Sequence, residues 1–142
     1  MSNIEQTLSI IKPDAIERNL QDEIKQEFLN NGFNIKKEKK IHISKQEAEQ
    51  FYKVHEIKPF YNELCSYLSS GPIIVMELSR ENAVLENRKL MGATNPANAD
   101  ENTIRKLYGL SVEENSVHGS DSPENAEIEI RFFFSEREMF NI

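Results

Sequence analysis

Leu8 and Ile10 point one way and Thr7, Ser9 and Ile11 the other, and three of these five residues are β-branched, so residues 7–11 predict a strand. Lys12-Pro13-Asp14 ends it, because Pro13 removes a ladder donor and holds φ where a helix can begin. Leu20, Ile24 and Phe28 then recur every fourth residue before Gly32, which predicts an amphipathic helix over residues 20–31. Phe33, Ile35, Ile41 and Ile43 share one parity across a charged middle. Residues 33–43 therefore read as a long strand, or a strand pair, with one apolar and one wet face. Ser44-Lys45-Gln46-Glu47 is a capping box that starts a short helix through His55. That helix would carry Phe51 and Val54 on one side, with Tyr52 and His55 as neighbours three residues apart. Pro59 would open the next helix, striped by Phe60, Leu64 and Leu68 and ended by Ser70-Gly71.

The apolar run 72–78 suits a central strand covered on both faces, and residues 82–91 read as a helix closed by Gly92. Residues 93–115 are the least regular, with only a brief helical hint at 104–107; long loops in compact domains often carry function. Residues 115–118 predict a last short strand. Ser122 as N-cap and Pro123 in the first turn then start a final helix with Ala126, Ile130, Phe133 and Phe134 facing inward and Glu129 among them. The order β, α, β, α, α, β, α, loop, β, α predicts the α/β (α+β) class. The expected form is a two-layer, ferredoxin-like β-α-β-β-α-β sandwich with helices covering a mostly antiparallel sheet.

Length and composition narrow the setting. With 142 residues, 29% charged and 38% apolar, the chain is expected to form one domain over residues 1–142. The lone Cys65 and the charged residues throughout 1–20, with no apolar leader, point to a cytoplasmic location. Apolar runs at 72–76 and 132–134 are too short to cross a bilayer, so no membrane association is expected. A net charge of −7 argues against nonspecific nucleic-acid binding. Lys36, Lys37, Lys39 and Lys40 are interrupted by Glu38 and lack interleaved aromatics. They read as a solvated strand face, and no specific nucleic-acid partner is expected.

The candidate chemistry centres on Asn115-Ser116-Val117-His118-Gly119-Ser120-Asp121-Ser122. There is no Gly-rich Walker loop, dinucleotide fingerprint, His-Glu-x-x-His or zinc-binding Cys pair, and His42, His55 and His118 lack ligand-like spacing. An imidazole can be nucleophile, base or ligand near neutral pH. In a compact fold His118 could keep company with Lys12, Arg88, Thr94, Arg105, Asn115 and Glu129. Cations and hydroxyls suit a polyphosphate, and a histidine among them can attack phosphorus if one ring nitrogen is unprotonated and the other is held by an acceptor. Spacing alone does not show that these residues converge.

Five segments, in order, carry a resemblance that spans essentially the whole chain. They are Thr7-Leu8-Ser9-Ile10-Ile11-Lys12-Pro13-Asp14-Ala15, Ser70-Gly71-Pro72, Gly92-Ala93-Thr94-Asn95-Pro96, Thr103-Ile104-Arg105 and Asn115 to Ser122. Together they resemble the signature segments of nucleoside diphosphate kinase, and Glu113-Glu114 is similar to bacterial members. The resemblance implies a ferredoxin-like fold and transfer of a γ-phosphate from a nucleoside triphosphate, typically ATP, to a nucleoside diphosphate. It further implies a ping-pong mechanism through phosphohistidine, with broad base specificity. By the same resemblance His118 is the nucleophile, attacking through Nδ1, and Glu129 holds the other ring nitrogen with support from Ser120. Lys12, Tyr52, Arg88, Thr94 and Arg105 match phosphate contacts, joined by His55. Phe60 and Val112 match the walls around the base, and Asn115 matches a ribose contact together with Lys12.

Mg²⁺ would ride on the nucleotide phosphates, so no protein metal site is expected. The resemblance also implies a homo-oligomer, tetramer or hexamer. Two departures stand out: Ser79-Arg80 replaces a frequent Glu-Gly, and Glu101-Asn102 replaces the Pro-Gly before Thr-Ile-Arg, where Asn102 can still take a left-handed conformation. The competing reading is a non-catalytic ferredoxin-like binding module working through protein or nucleic-acid contacts.

Overall fold

In the computed structural model, which describes residues 4–112 and 114–134 except the side chain of Val54, four strands form one antiparallel sheet in the order β2-β3-β1-β4. They are β1 (Ile4–Ile11), β2 (Asn34–Ile41), β3 (Ile73–Glu81) and β4 (Val117–Gly119). Around them lie α1 (Pro13–Glu17), α2 (Gln21–Asn30), α3 (Lys45–Phe51), α4 (Tyr61–Leu68), α5 (Ala83–Met91), α6 (Ile104–Tyr108) and α7 (Pro123–Phe133). Both central strands, β1 and β3, are buried along most of their length, as the apolar runs required. This is the ferredoxin-like α+β arrangement, with α3 and α4 inserted between β2 and β3.

The sheet has a core on each face, three layers where two were expected. On one side Ile11, Met76, Leu78 and Val117 meet Ile24 and Phe28 of α2, Leu90 and Met91 of α5, and Ile104 of α6. On the other, Leu8, Ile10, Ile73 and Val75 meet Ala48 of α3, Cys65 and Leu68 of α4, and Ile130 and Phe133 of α7. Ten or more apolar side chains must be hidden on each side, so neither face can be left to solvent.

Several local expectations change for identifiable reasons. Within residues 33–43 a single strand forms, β2, and not a pair, and a bulge between Ile35 and Lys37 breaks the ladder. The extra residue reverses the parity, so Phe33 and Ile35 pack on the α2 side while Ile41 and Ile43 pack on the α4 side. The capping box at Ser44 forms as expected, but α3 stops at Phe51 and a separate 3₁₀ turn covers Lys53–His55. Phe60 is the residue before α4 and not part of its stripe; it stands 47% exposed. Pro13 opens a helix of its own, α1, before α2 begins. Of the two departures, Arg80 donates to the Asn31 carbonyl at the end of α2 (2.6 Å) and lies over the Phe33 ring. Asn102 takes the left-handed conformation, at φ +69°. The Val54 side chain and Glu113 lie outside the described residues.

Candidate active site

Lys12 sits where β1 gives way to α1, and the fold buries it to 6% exposure. Its N–H donates to the Ser116 carbonyl (2.8 Å), and its Nζ donates to Asn115 Oδ1 (3.0 Å). Asn115 Nδ2 in turn donates to the Thr94 carbonyl (3.0 Å), so three distant segments share one chain of hydrogen bonds. Burial, with the Arg105 charge nearby, lowers the Lys12 ammonium from 10.5 to about 8, and Asp14 offsets only part of this.

Arg105 is placed by α6, which Thr103 caps. Its Nη1 donates to the Gly92 carbonyl and its Nη2 to the Val117 carbonyl, both at 3.0 Å, while Nε is buried without a partner. Burial and the neighbouring Arg88 lower it from 12.5 to about 10. A guanidinium held by carbonyls and crowded by a second one keeps its charge uncompensated, an arrangement that an anionic ligand relieves.

His118 is on β4, opposite Ile10, which turns its ring toward the α3 and α7 side of the sheet. Its Nε2 lies 3.1 Å from Glu129 Oε1, and the Ser120 hydroxyl donates to the same oxygen (2.8 Å) while accepting the Leu8 N–H (3.2 Å). Phe51 packs edge-on to the imidazole at 5.3 Å and Tyr52 at 6.2 Å. A neutral ring donating Nε2–H to the carboxylate would leave the lone pair on Nδ1. Burial, reinforced by Glu129, raises the Tyr52 hydroxyl above its ordinary range and keeps it a neutral donor. The His55 imidazole is lowered by burial and by Lys58.

A cleft of about 430 Å³ brings together Lys12, Tyr52, His55, Phe60, Thr94, Arg105, Val112, Asn115 and His118. Phe60 and Val112, 47% and 46% exposed, supply its apolar walls. Arg88 lies in an adjoining groove that shares Thr94 and Arg105, and Ser120 and Glu129 stand behind the histidine and not on the cleft wall. The sequence reading missed Glu63, Leu64 and Tyr67 of α4, which also line the cleft. Their spacing puts them on one helix face, the only signal available in advance. It also missed Phe51 against the imidazole. Among the described residues no group of three or more His, Cys, Asp or Glu is disposed to hold a metal ion, and none of the helices is long and apolar enough to cross a membrane.

A ferredoxin-like fold that brings an oriented histidine, a buried lysine and a half-buried arginine to one cleft defines a phosphate-handling transferase. The nucleoside diphosphate kinase family model matches residues 5–139, and the chain belongs to that family. It is 57% identical over 136 residues to a nucleoside diphosphate kinase of Geobacter sulfurreducens, covering 96% of this chain and 99% of that one. A Geotalea uraniireducens nucleoside diphosphate kinase is 54% identical over the same shares. Among solved structures, the Aquifex aeolicus nucleoside diphosphate kinase superposes with a TM-score of 0.93 at 39% identity, covering 95% of this chain and 98% of that one. The apo enzyme of Encephalitozoon cuniculi gives 0.90 at 38% identity, covering 94% and 90%. The chain is therefore a phosphotransferase acting on nucleoside tri- and diphosphates, and the non-catalytic module is not favoured.

Proposed function

We propose that this chain transfers the γ-phosphate in two half-reactions through a phosphohistidine at His118. The observation that carries this reading is the 3.1 Å contact between His118 Nε2 and Glu129, which leaves Nδ1 as the free nucleophile. Nδ1 bonds to the γ-phosphorus as the bond to the β-γ bridging oxygen breaks and the nucleoside diphosphate departs. An incoming diphosphate then takes the phosphoryl group by the reverse displacement. Glu129 stabilises the imidazolium character that develops on the phosphorylated ring, and Ser120 fixes the carboxylate oxygen that does so. Phosphoryl transfer depends on position and charge more than on covalent participation by the protein. Lys12, Arg88 and Arg105 therefore neutralise the phosphate oxygens while Tyr52, His55 and Thr94 complete the contacts.

Phe60 and Val112 hold the base between apolar surfaces, and Asn115 with Lys12 contacts the ribose. Stacking accepts any base, which accounts for broad specificity. Within the cleft the cations Lys12 and Arg105 face a single carboxylate, Glu63, a donor set that suits a metal already chelated by phosphates and not a bare ion. Mg²⁺ would arrive already chelated by the nucleotide phosphates and would neutralise part of their charge. The chain acts as one cytoplasmic domain within a homo-oligomer, tetramer or hexamer, a reading supported by the family and by exposed apolar residues such as Leu85, Leu107 and Leu110.

Initial-rate measurements with both nucleotides varied test the two-step scheme. Double-reciprocal plots at several diphosphate concentrations are expected to be parallel. Intersecting lines would require both nucleotides on the enzyme at once and would exclude the scheme.

A further inference from the structure

Asp14 is outside the phosphate cleft, yet it is only 3% exposed and receives donors from three parts of the chain. Its Oδ1 accepts the Tyr67 hydroxyl and the Ser116 N–H (3.3 Å), and its Oδ2 accepts the Ser116 hydroxyl (3.0 Å) and Arg18 Nη2 (3.1 Å). The Asp14 N–H donates back to the Tyr67 oxygen (2.9 Å). Burial and this carboxylate hold the Tyr67 hydroxyl above its ordinary range, so it stays a donor. A buried carboxylate is costly unless every oxygen is satisfied, and here Ser116 supplies one donor to each oxygen, Tyr67 and Arg18 the others.

Ser116 is the unusual residue of the pair. It has φ +75°, which L side chains rarely adopt, and the Val117 N–H closes back onto the Asn115 carbonyl (2.9 Å). Together these make a γ-turn with positive φ, a rare and strained conformation for a non-glycine residue. All three polar groups of Ser116 are tied down: the N–H by Asp14, the hydroxyl by Asp14 and by Arg18 Nη2 (3.3 Å), the carbonyl by the Lys12 N–H. On one side of the turn is Asn115, bonded to the Lys12 amine; on the other, two residues on, is His118. Were the turn to relax to an ordinary extended conformation, the spacing between the Lys12–Asn115 pair and the imidazole would change.

We propose that Asp14 is a positioning residue for phosphoryl transfer, holding the strained turn at Ser116 so that Asn115 and His118 address the same nucleotide. Arg18 and Tyr67 brace it. The proposal rests on the phosphohistidine reading above. Strain of this kind persists only where the surroundings over-determine it, and here Asp14 supplies two of the restraints on Ser116, beside Arg18 and the Lys12 N–H.

The test is single-turnover phosphorylation of His118 by a labelled nucleoside triphosphate, measured well below each variant's unfolding temperature. Asp14→Asn is expected to slow labelling about tenfold to a hundredfold, the scale of a reacting group displaced by about 1 Å. Arg18→Gln, changing a side chain 33% exposed, is expected to slow it less, in the same direction, and covers the case in which Asp14→Asn does not fold. Adding Ser116→Gly to Asp14→Asn is expected to recover most of the lost rate, because glycine holds φ +75° without support. Wild-type labelling rates in folded Asp14→Asn or in Arg18→Gln, or no recovery with glycine, would overturn the proposal alone. An unlabelled wild-type His118 would overturn the phosphohistidine reading and this proposal with it.

Discussion

Replacing Lys12 by methionine should make the nucleotide-free protein more stable while crippling transfer. The Lys12 ammonium is lowered from 10.5 to about 8 on folding, so at pH 7 the folded state holds a charge that costs about 3 kcal/mol to bury. Methionine fills the stem's volume without that charge but leaves Asn115 Oδ1, in a residue 2% exposed, without its donor, at a cost of about 1 kcal/mol. The expected net gain is about 2 kcal/mol, or about 4–8 °C in Tm for a chain of this size.

The pH dependence gives the sign. Below pH 8 both states hold the proton and the penalty is whole; between 8 and 10.5 the unfolded chain binds more protons, so wild-type stability rises with pH. The methionine advantage should therefore be present at pH 7 and nearly gone at pH 10 in urea titrations without nucleotide. Turnover should meanwhile fall about a hundredfold or more, as when one charge-stabilising donor is removed. A variant less stable than wild type at pH 7, or equally favoured at both pH values, would refute this reasoning.

Glu129→Gln should reduce turnover by up to about a hundredfold with a small change in Tm, because it removes the charge behind His118 but keeps a similar shape; unchanged turnover in stopped-flow assays would count against the orienting role. Gly119→Ala would set a Cβ 2.3 Å from Asn87 Nδ2 and 2.7 Å from Met91 Cε, between β4 and α5, and should cost about 1–3 kcal/mol in denaturant unfolding. Phe28→Ala should cost about 3–5 kcal/mol by emptying the α2 core beside Phe33, without altering KM in the folded fraction.

How far these features were legible in the sequence depended on the range of the interaction. Strand β3, α2 and the capped starts of α3 and α7 are written in local periodicity and capping, and they form where expected. The bulge after Ile35 has no local mark, since the isoleucines keep one parity while the backbone turns them to opposite faces. His118, Lys12, Asn115 and Arg105 could be nominated from residue type and named by resemblance, but the β1–β4 pairing is what brings Lys12, Asn115 and His118 together, and Arg105 joins them from α6 through the Gly92 and Val117 carbonyls. Asp14 escaped notice because its partners Tyr67 and Ser116 are remote in sequence, and a positive φ at serine leaves no trace in composition. Periodicity puts Phe60 in the apolar stripe of α4 and only the resemblance assigns it to the cleft; it stands just before α4 begins, 47% exposed, on the cleft wall.

The most direct measurement is the position of the phosphoryl group on the trapped enzyme. Incubation with a nucleoside triphosphate and Mg²⁺, quenching in alkali and ³¹P NMR of the denatured chain should show a single acid-labile phosphoramidate at His118 Nδ1, discharged by added nucleoside diphosphate. Phosphate on Nε2, which Glu129 is held to occupy, or label persisting in His118→Ala, would contradict the mechanism.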